Sequence, residues 1–231
     1  MVGAQEFINK KERYCLWLVG CEPSELRNMP LVLERVNRCR EDRIKAGNKE
    51  SLRLAETPTL FREQINLNEY LIIPCVSSER RKYIPIGFLD KNTIPVMGTL
   101  IVPDADLFYF GILTSNVHMA WMRAVAGRLE MRYRYSKDIV YNNFPWPNPT
   151  EEQKTKIEKT AQAILDTREK YPTSSLADLY DELTMPSDLR KAHQENDKAV
   201  MNAYGFDWKK MTESECVARL MEMYQEITQG N

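Results

Sequence analysis

Apolar and charged positions alternate along Arg128-Leu129-Glu130-Met131-Arg132-Tyr133-Arg134-Tyr135. A period of two is the signature of a strand with one face packed and one face free. Read as one strand, Leu129, Met131, Tyr133 and Tyr135 point one way and Glu130, Arg132 and Arg134 the other. Upstream, Glu12 to Gly20 reads as a short aromatic and apolar strand ended by a glycine. Leu26, Met29, Leu33, Val36 and Ile44 then keep helical spacing from a Ser24 cap to Gly47, with Pro30 marking a kink or a restart. Residues 48–68 are polar without a clear period, and Thr57 to Phe61 reads as the start of a short helix. Short strands follow at Tyr70–Val76, Tyr83–Leu89 and Thr93–Val102, and Pro74, Pro85, Pro95 and Pro103 suit edges, bulges and strand ends.

The span from Leu107 to about Ala126 is apolar almost all round, with Asp104 or Asp106 as cap and Gly127 as stop. That pattern predicts a central buried helix. Pro145, Pro147 and Pro149 end the sheet region. Beyond them lie amphipathic helices from Thr150 to Tyr171, Leu176 to Leu183, Pro186 to Ala203, and from Thr212 onward. The expected fold class is α+β: a twisted, mostly antiparallel sheet with a buried central helix, followed by a C-terminal helical bundle. Domain boundaries are expected at 1–148 and 149–231.

Composition refines this picture in two places. The net charge of the 231 residues is −1, yet residues 1–148 carry +4 and residues 149–231 carry −5. The asymmetry points the first part toward an anionic partner. Five scattered cysteines and two histidines, without a CxxC pair, lack the ligand spacing of zinc sites and read as reduced thiols of a cytoplasmic chain. The longest apolar run, Leu107 to Leu113, is shorter than the roughly 20 residues a membrane span needs, and no signal-peptide pattern opens the chain.

Two readings fit the charged row Glu130, Arg132, Arg134. One is an ordinary solvated strand face. The other is a set of base readers, since arginine grips guanine O6 and N7 and glutamate accepts from cytosine N4. The turn Ser77-Ser78-Glu79-Arg80-Arg81-Lys82 likewise reads as a solvated turn or as a phosphate contact. The basic helix face Arg35, Arg38, Arg40, Arg43 and Lys45 has interleaved acids and reads as solvated or phosphate-facing. His118, inside the apolar helix, reads as a hydrogen-bonded core histidine, and no catalytic set assembles around it. GxGxxG, Walker and HExxH motifs are missing from the sequence, as is any glycine-rich turn after a strand that would hold S-adenosylmethionine.

Three strings together resemble the C-terminal part of the MmeI-like DNA methyltransferases of type II restriction-modification systems. They are Val76-Ser77-Ser78-Glu79-Arg80-Arg81-Lys82-Tyr83-Ile84-Pro85-Ile86-Gly87-Phe88, Phe110 to Ser115 continuing through Trp121 to Leu129, and Tyr133 to Pro147 with its Tyr-Ser-Lys and Asn-Asn-Phe-Pro-Trp-Pro segments. The resemblance covers roughly Phe7 to Gly205. It implies a target recognition domain and a helical region that read double-stranded DNA for an upstream adenine-N6 methyltransferase domain of the same polypeptide. S-adenosylmethionine is then a cofactor of the parent enzyme and not of this portion. It implies base-reading roles for Glu130, Arg132 and Arg134, just before the Tyr-Ser-Lys string, and a second reading loop near Met97 and Gly98. Ser77, Ser78, Arg80, Arg81, Lys82 and Lys137 are the expected phosphate contacts. The rival expectation is a structural or protein-interaction module whose acidic helical tail carries the partner surface.

Overall fold

A computed structural model of the chain describes residues 1–65 and 67–229. They form two compact units, Arg13–Asn66 and the remainder.

The small unit is helical. Its helices are α2 (Pro23–Arg27), α3 (Pro30–Ala46) and α4 (Lys49–Ala55), with α1 (Ala4–Asn9) preceding it in the larger unit. Pro30 is the first residue of α3, where its missing N–H has no helical partner to lose. Gly47, at φ 68°, takes the left-handed position that ends the helix. The strand expected at Glu12–Gly20 does not form, because the described residues of this unit include no strand to pair with. Leu16 and Leu18 instead line a cavity of about 230 Å³ with Val36, Cys39, Leu60 and Phe61. Trp17 stacks on Phe61 with ring centroids 5.8 Å apart. The helix expected from Thr57 is displaced to α4, which Asn48 caps by accepting from the Ser51 N–H. On the basic face, Arg43 is taken up by the carbonyls of Leu54 and Leu60, at 2.7 and 2.8 Å, and Arg38 pairs with Glu34.

The larger unit is α+β, with antiparallel sheets followed by C-terminal helices. Its first sheet has the order β3 (Gly87–Asp90), β1 (Glu69–Pro74), β4 (Thr99–Pro103). Tyr70, Leu71, Ile72 and Ile73 are all fully buried, so the central strand β1 is covered on both faces, which explains its unbroken apolar run. Leu71 and Ile73 join the main core, while Tyr70 and Ile72 pack with Val2, Phe7 and Ile101. After Pro74 the chain passes through Cys75 into β2 (Val76–Ser77). This strand belongs to a second sheet of order β2, β6 (Arg132–Arg134), β5 (Gly127–Leu129).

The single buried helix expected over 107–126 is two helices, α5 (Leu107–Leu113) and α6 (Asn116–Val125). The break comes at Thr114-Ser115. The Ser115 hydroxyl donates back to the Ile112 carbonyl at 2.7 Å and accepts from the His118 N–H, so it closes one helix and caps the next. Asp197 of α9 (Ser187–Ala203) accepts from the Asn116 N–H at 2.7 Å and from the Tyr83 hydroxyl at 2.6 Å. Gly111 lets α5 approach α7 (Glu151–Glu169) closely: a Cβ there would lie 2.6 Å from Ile157 Cγ2. Further on come α8 (Leu176–Leu179) and α10 (Glu213–Gln229). Buried side chains from Leu71 to Leu220 belong to one continuous core, so sheets and C-terminal helices share it.

Candidate nucleic-acid interface

The alternating stretch is a β-hairpin and not one strand. Strands β5 and β6 pair antiparallel with Gly127 opposite Arg134, Arg128 opposite Tyr133 and Leu129 opposite Arg132. Glu130 and Met131 form the two-residue turn, and Glu130 sits at φ 57°. Two-residue hairpins favour turns with positive φ at the first central position, because that backbone matches the strand twist. Asn-Gly or Asp-Gly is the usual signal there, and Glu-Met conceals it.

The turn changes which side chains share a face. Residues directly opposite on antiparallel strands point the same way. Leu129, Arg132 and Arg134 therefore share one face with Val76, which lies opposite Arg134 on β2. Arg128, Tyr133 and Ser77 share the other. Tyr133 and Tyr135 are buried, as the alternation predicts. Leu129 and Met131 are not: they are 43% and 71% exposed, because the turn carries them off the packed side. Arg132 and Arg134 are exposed, and Arg132 Nη2 donates to Glu130 Oε2 at 2.8 Å.

The hairpin is held from behind. The Arg128 guanidinium lies 3.8 Å from the Tyr133 ring centroid and donates to the Met131 carbonyl. Tyr135 Oη is 2.8 Å from His118 Nε2, and the Phe144 ring stands nearly perpendicular to the same imidazole with centroids 4.5 Å apart. Burial lowers the His118 pKa to about 3, so the ring is neutral. These are the surroundings of a core histidine. Beyond Ser136, residues Lys137–Tyr141 wind into a wide π-type turn, anchored where Trp121 Nε1 donates to the Val140 carbonyl at 3.0 Å.

The second expected loop lies beside the hairpin. Met97 is 96% exposed and Gly98 takes φ 95° in the turn before β4. The Gly98 carbonyl accepts from the Cys75 N–H at 3.0 Å, and the Cys75 carbonyl accepts from the Tyr135 N–H at 2.8 Å. One residue thus ties the loop to the end of the hairpin. Cys75 was not singled out by the sequence, where it looks like one scattered thiol. Burial raises its pKa, and Arg134 acts in the opposite direction.

The expected phosphate contacts divide. Arg80, Lys82 and Lys137 are exposed, and Ser78 is half-buried with its hydroxyl accepting from the Arg80 N–H. Ser77 is a correction: it is 3% exposed, turned inward beside Tyr133, and its hydroxyl is not offered to solvent. Arg81 is half-buried; burial lowers its pKa, and the Asp181 carboxylate acts in the opposite direction.

Both sheets are antiparallel, and the described strands form no parallel βαβ crossover of the kind that builds a nucleotide-type cofactor crevice. Among the described residues, no helix is long and apolar enough to cross a membrane.

Comparison with known proteins gives a consistent result. Residues 1–148 match the family described as MmeI, target recognition domain, and residues 149–230 match MmeI, C-terminal domain. DNA methyltransferase A of Bacillus subtilis (strain 168) is 40% identical over 231 residues, which is 99% of this chain and 26% of that protein. The type IIL restriction-modification enzyme MmeI, solved in complex with DNA, superposes with a TM-score of 0.94 at 50% identity, over 99% of this chain and 30% of the other. The chain thus spans between a quarter and a third of the length of these relatives.

Proposed function

Because the chain belongs to the MmeI family, with its target recognition and C-terminal domains side by side, we propose that it reads the DNA sequence for a restriction-modification methyltransferase. Adenine-N6 transfer and S-adenosylmethionine are assigned to an upstream domain of the same polypeptide, acting on bacterial DNA in the cytoplasm. Residues 1–148 are the reading part and residues from 149 onward are its helical support.

The carrying observation is the hairpin tip, where Glu130 and Arg132 stand exposed and bonded to each other. A carboxylate beside a guanidinium complements the major-groove edge of a C·G pair, which offers the cytosine N4 amine beside guanine O6 and N7. Arg134 follows two residues on, at the next outward position of the strand, and Met97 and Gly98 approach from the neighbouring loop. Arg80, Lys82, Lys137 and the Ser78 hydroxyl are assigned to phosphates, which position the module without specifying sequence.

The test is made in the full-length methyltransferase that contains this segment. Arg132→Ala should lower methylation of the cognate site by roughly 10- to 100-fold and relax the preference at one base pair, the loss of a bidentate guanine contact. Sequencing of methylated genomic DNA reads this directly. An unchanged preference at every position, with Glu130→Ala and Arg134→Ala equally silent, would favour a purely structural module.

A further inference from the structure

The register of the hairpin puts an apolar side chain among the charged ones. Leu129 is directly across from Arg132, and Cβ atoms of such pairs lie about 4.5–5.5 Å apart. Its side chain shares the outward face with Arg132 and Arg134, on an edge strand, and is 43% exposed. Strict alternation would have buried it with Tyr133. The same face is open on the Arg134 side, because Gly127, opposite Arg134, has no side chain and nothing within 4 Å of where a Cβ would be.

We propose that Leu129 is a specificity-determining residue that packs against the C5-methyl group of a thymine neighbouring the base pair read by Arg132. The inference rests on the base-reading role of the hairpin. The thymine methyl is the one apolar group on the major-groove edge, and aliphatic side chains recognise it by contact. A leucine about 5 Å from a guanine-gripping arginine lies within one to two base steps of that guanine, since bases stack about 3.4 Å apart. The hairpin thereby presents three chemistries on one short ribbon: an acceptor in Glu130, donors in Arg132 and Arg134, and an apolar surface in Leu129.

The experiment uses the full-length enzyme and duplexes in which each thymine of the recognition site and its immediate flanks is replaced singly by deoxyuridine. That change removes one methyl group and no hydrogen bond. One replacement, next to the pair at which Arg132→Ala relaxes the preference, should lower kcat/KM by about 3- to 5-fold, the scale of one buried methyl. Leu129→Ala should lower the rate on the thymine duplex to a similar degree and lose the distinction between thymine and uracil at that position only. Leu129→Met should largely retain it. Since Leu129 is on the surface, thermal melting of the variants should match the parent. Equal rates on all deoxyuridine duplexes, or a distinction that survives in Leu129→Ala, overturns the proposal. If Arg132→Ala still relaxes the preference, base reading stands without Leu129; if it does not, both fail together.

Discussion

Arg132 Nη2 lies 2.8 Å from Glu130 Oε2, so the two charged groups at the tip of the hairpin hold each other. Their side chains are 46% and 77% exposed, and an ion pair that wet contributes little to folding. Its consequence is orientation: each group limits the rotamers of the other. A double-mutant cycle in the full-length enzyme should therefore be non-additive for kcat/KM. Glu130→Ala, Arg132→Ala and the double variant should give a coupling of about 0.5–3 kcal/mol, as expected for residues that act as a unit. The unfolding free energy of all three should stay within about 0.5 kcal/mol of the parent. Additive effects on kcat/KM would mean that the two side chains act on DNA independently.

The turn itself makes a separate prediction. Glu130 occupies φ 57°, a region that costs an L-residue roughly 1–2 kcal/mol and a β-branched one more. Glu130→Gly should leave stability unchanged or slightly raised, since relief of strain is offset by glycine's added chain entropy. Glu130→Val should lower it by about 1 kcal/mol beyond Glu130→Ala. All three should lose cognate methylation alike, because none supplies an acceptor. Urea titrations set beside initial rates separate the backbone effect from the side-chain effect.

Acid should weaken the fold through its buried histidines. Burial lowers His118 from 6.5 to about 3 and pushes His193 well down, while it raises Asp197 from 3.8 to about 6. A group with a depressed folded pKa gives stability that is complete above its unfolded pKa and is lost as the pH falls. The histidine contributions therefore decline from about pH 6.5 downward, for His118 at about 1.4 kcal/mol per pH unit and for His193 in the same direction. Asp197 works in the opposite direction. Its raised folded pKa adds stability as the pH falls from about 6 to 3.8, and this offsets about one of the two histidines. Stability should therefore fall as the pH drops from 6.5 toward 4, less steeply than the two histidines alone would give. Urea unfolding at pH 7, 6, 5 and 4 should show that slope. His118→Leu should flatten it, at the cost of leaving the Tyr135 hydroxyl without its partner.

Much of this is legible in the sequence. The run Tyr70 to Ile73 announces a strand, the all-round apolar stretch from Leu107 to about Ala126 announces burial and helix though not the break at Thr114-Ser115, and Tyr133 and Tyr135 show the packed side of the hairpin. What escaped has identifiable causes. Period two persists through Arg128–Tyr135, yet a two-residue turn keeps that period while folding the chain back. Without Gly or Asn at its tip, nothing local marks the reversal. Leu129 consequently changes faces. Ser77 and Arg81 belong to a turn whose polar composition is uniform, and only tertiary packing decides that the first is buried and the second half-buried. Glu12–Gly20 has strand composition but no neighbouring strand, and composition alone cannot supply one.

Packing beneath the site is tested by Gly111. A Cβ would fall 2.6 Å from Ile157 Cγ2 and 3.2 Å from the Ala161 Cβ, so α5 and α7 would have to separate. Gly111→Ala should cost about 1–3 kcal/mol, the usual range for overpacking. In an Ile157→Ala background, which lacks Cγ2, adding Gly111→Ala should cost less than it does in the parent. If the single variant is as stable as the parent, the two helices are less closely held than this contact implies.

Salt dependence distinguishes the groups that hold the DNA backbone from those that read it. Each phosphate neutralised by a cation releases counterions and contributes about 0.9 to the slope of log K against log salt on duplex DNA. Arg80, Lys82 and Lys137 are exposed, and Lys137 is only loosely paired, 3.9 Å from Asp138. Replacing any one of them with alanine in the full-length enzyme should reduce the slope by close to one and weaken cognate and random duplexes by the same factor. Arg81→Ala should leave the slope alone and instead cost stability, because that side chain is half-buried. Ser77→Ala should leave binding at every salt concentration unchanged, since its hydroxyl is already buried. Arg132→Ala should act differently again, losing cognate affinity far more than random affinity. Fluorescence anisotropy across a salt series measures all of these. A slope unchanged by the three exposed cations would move the phosphate-binding surface away from the 78–82 turn and the start of the π-type turn.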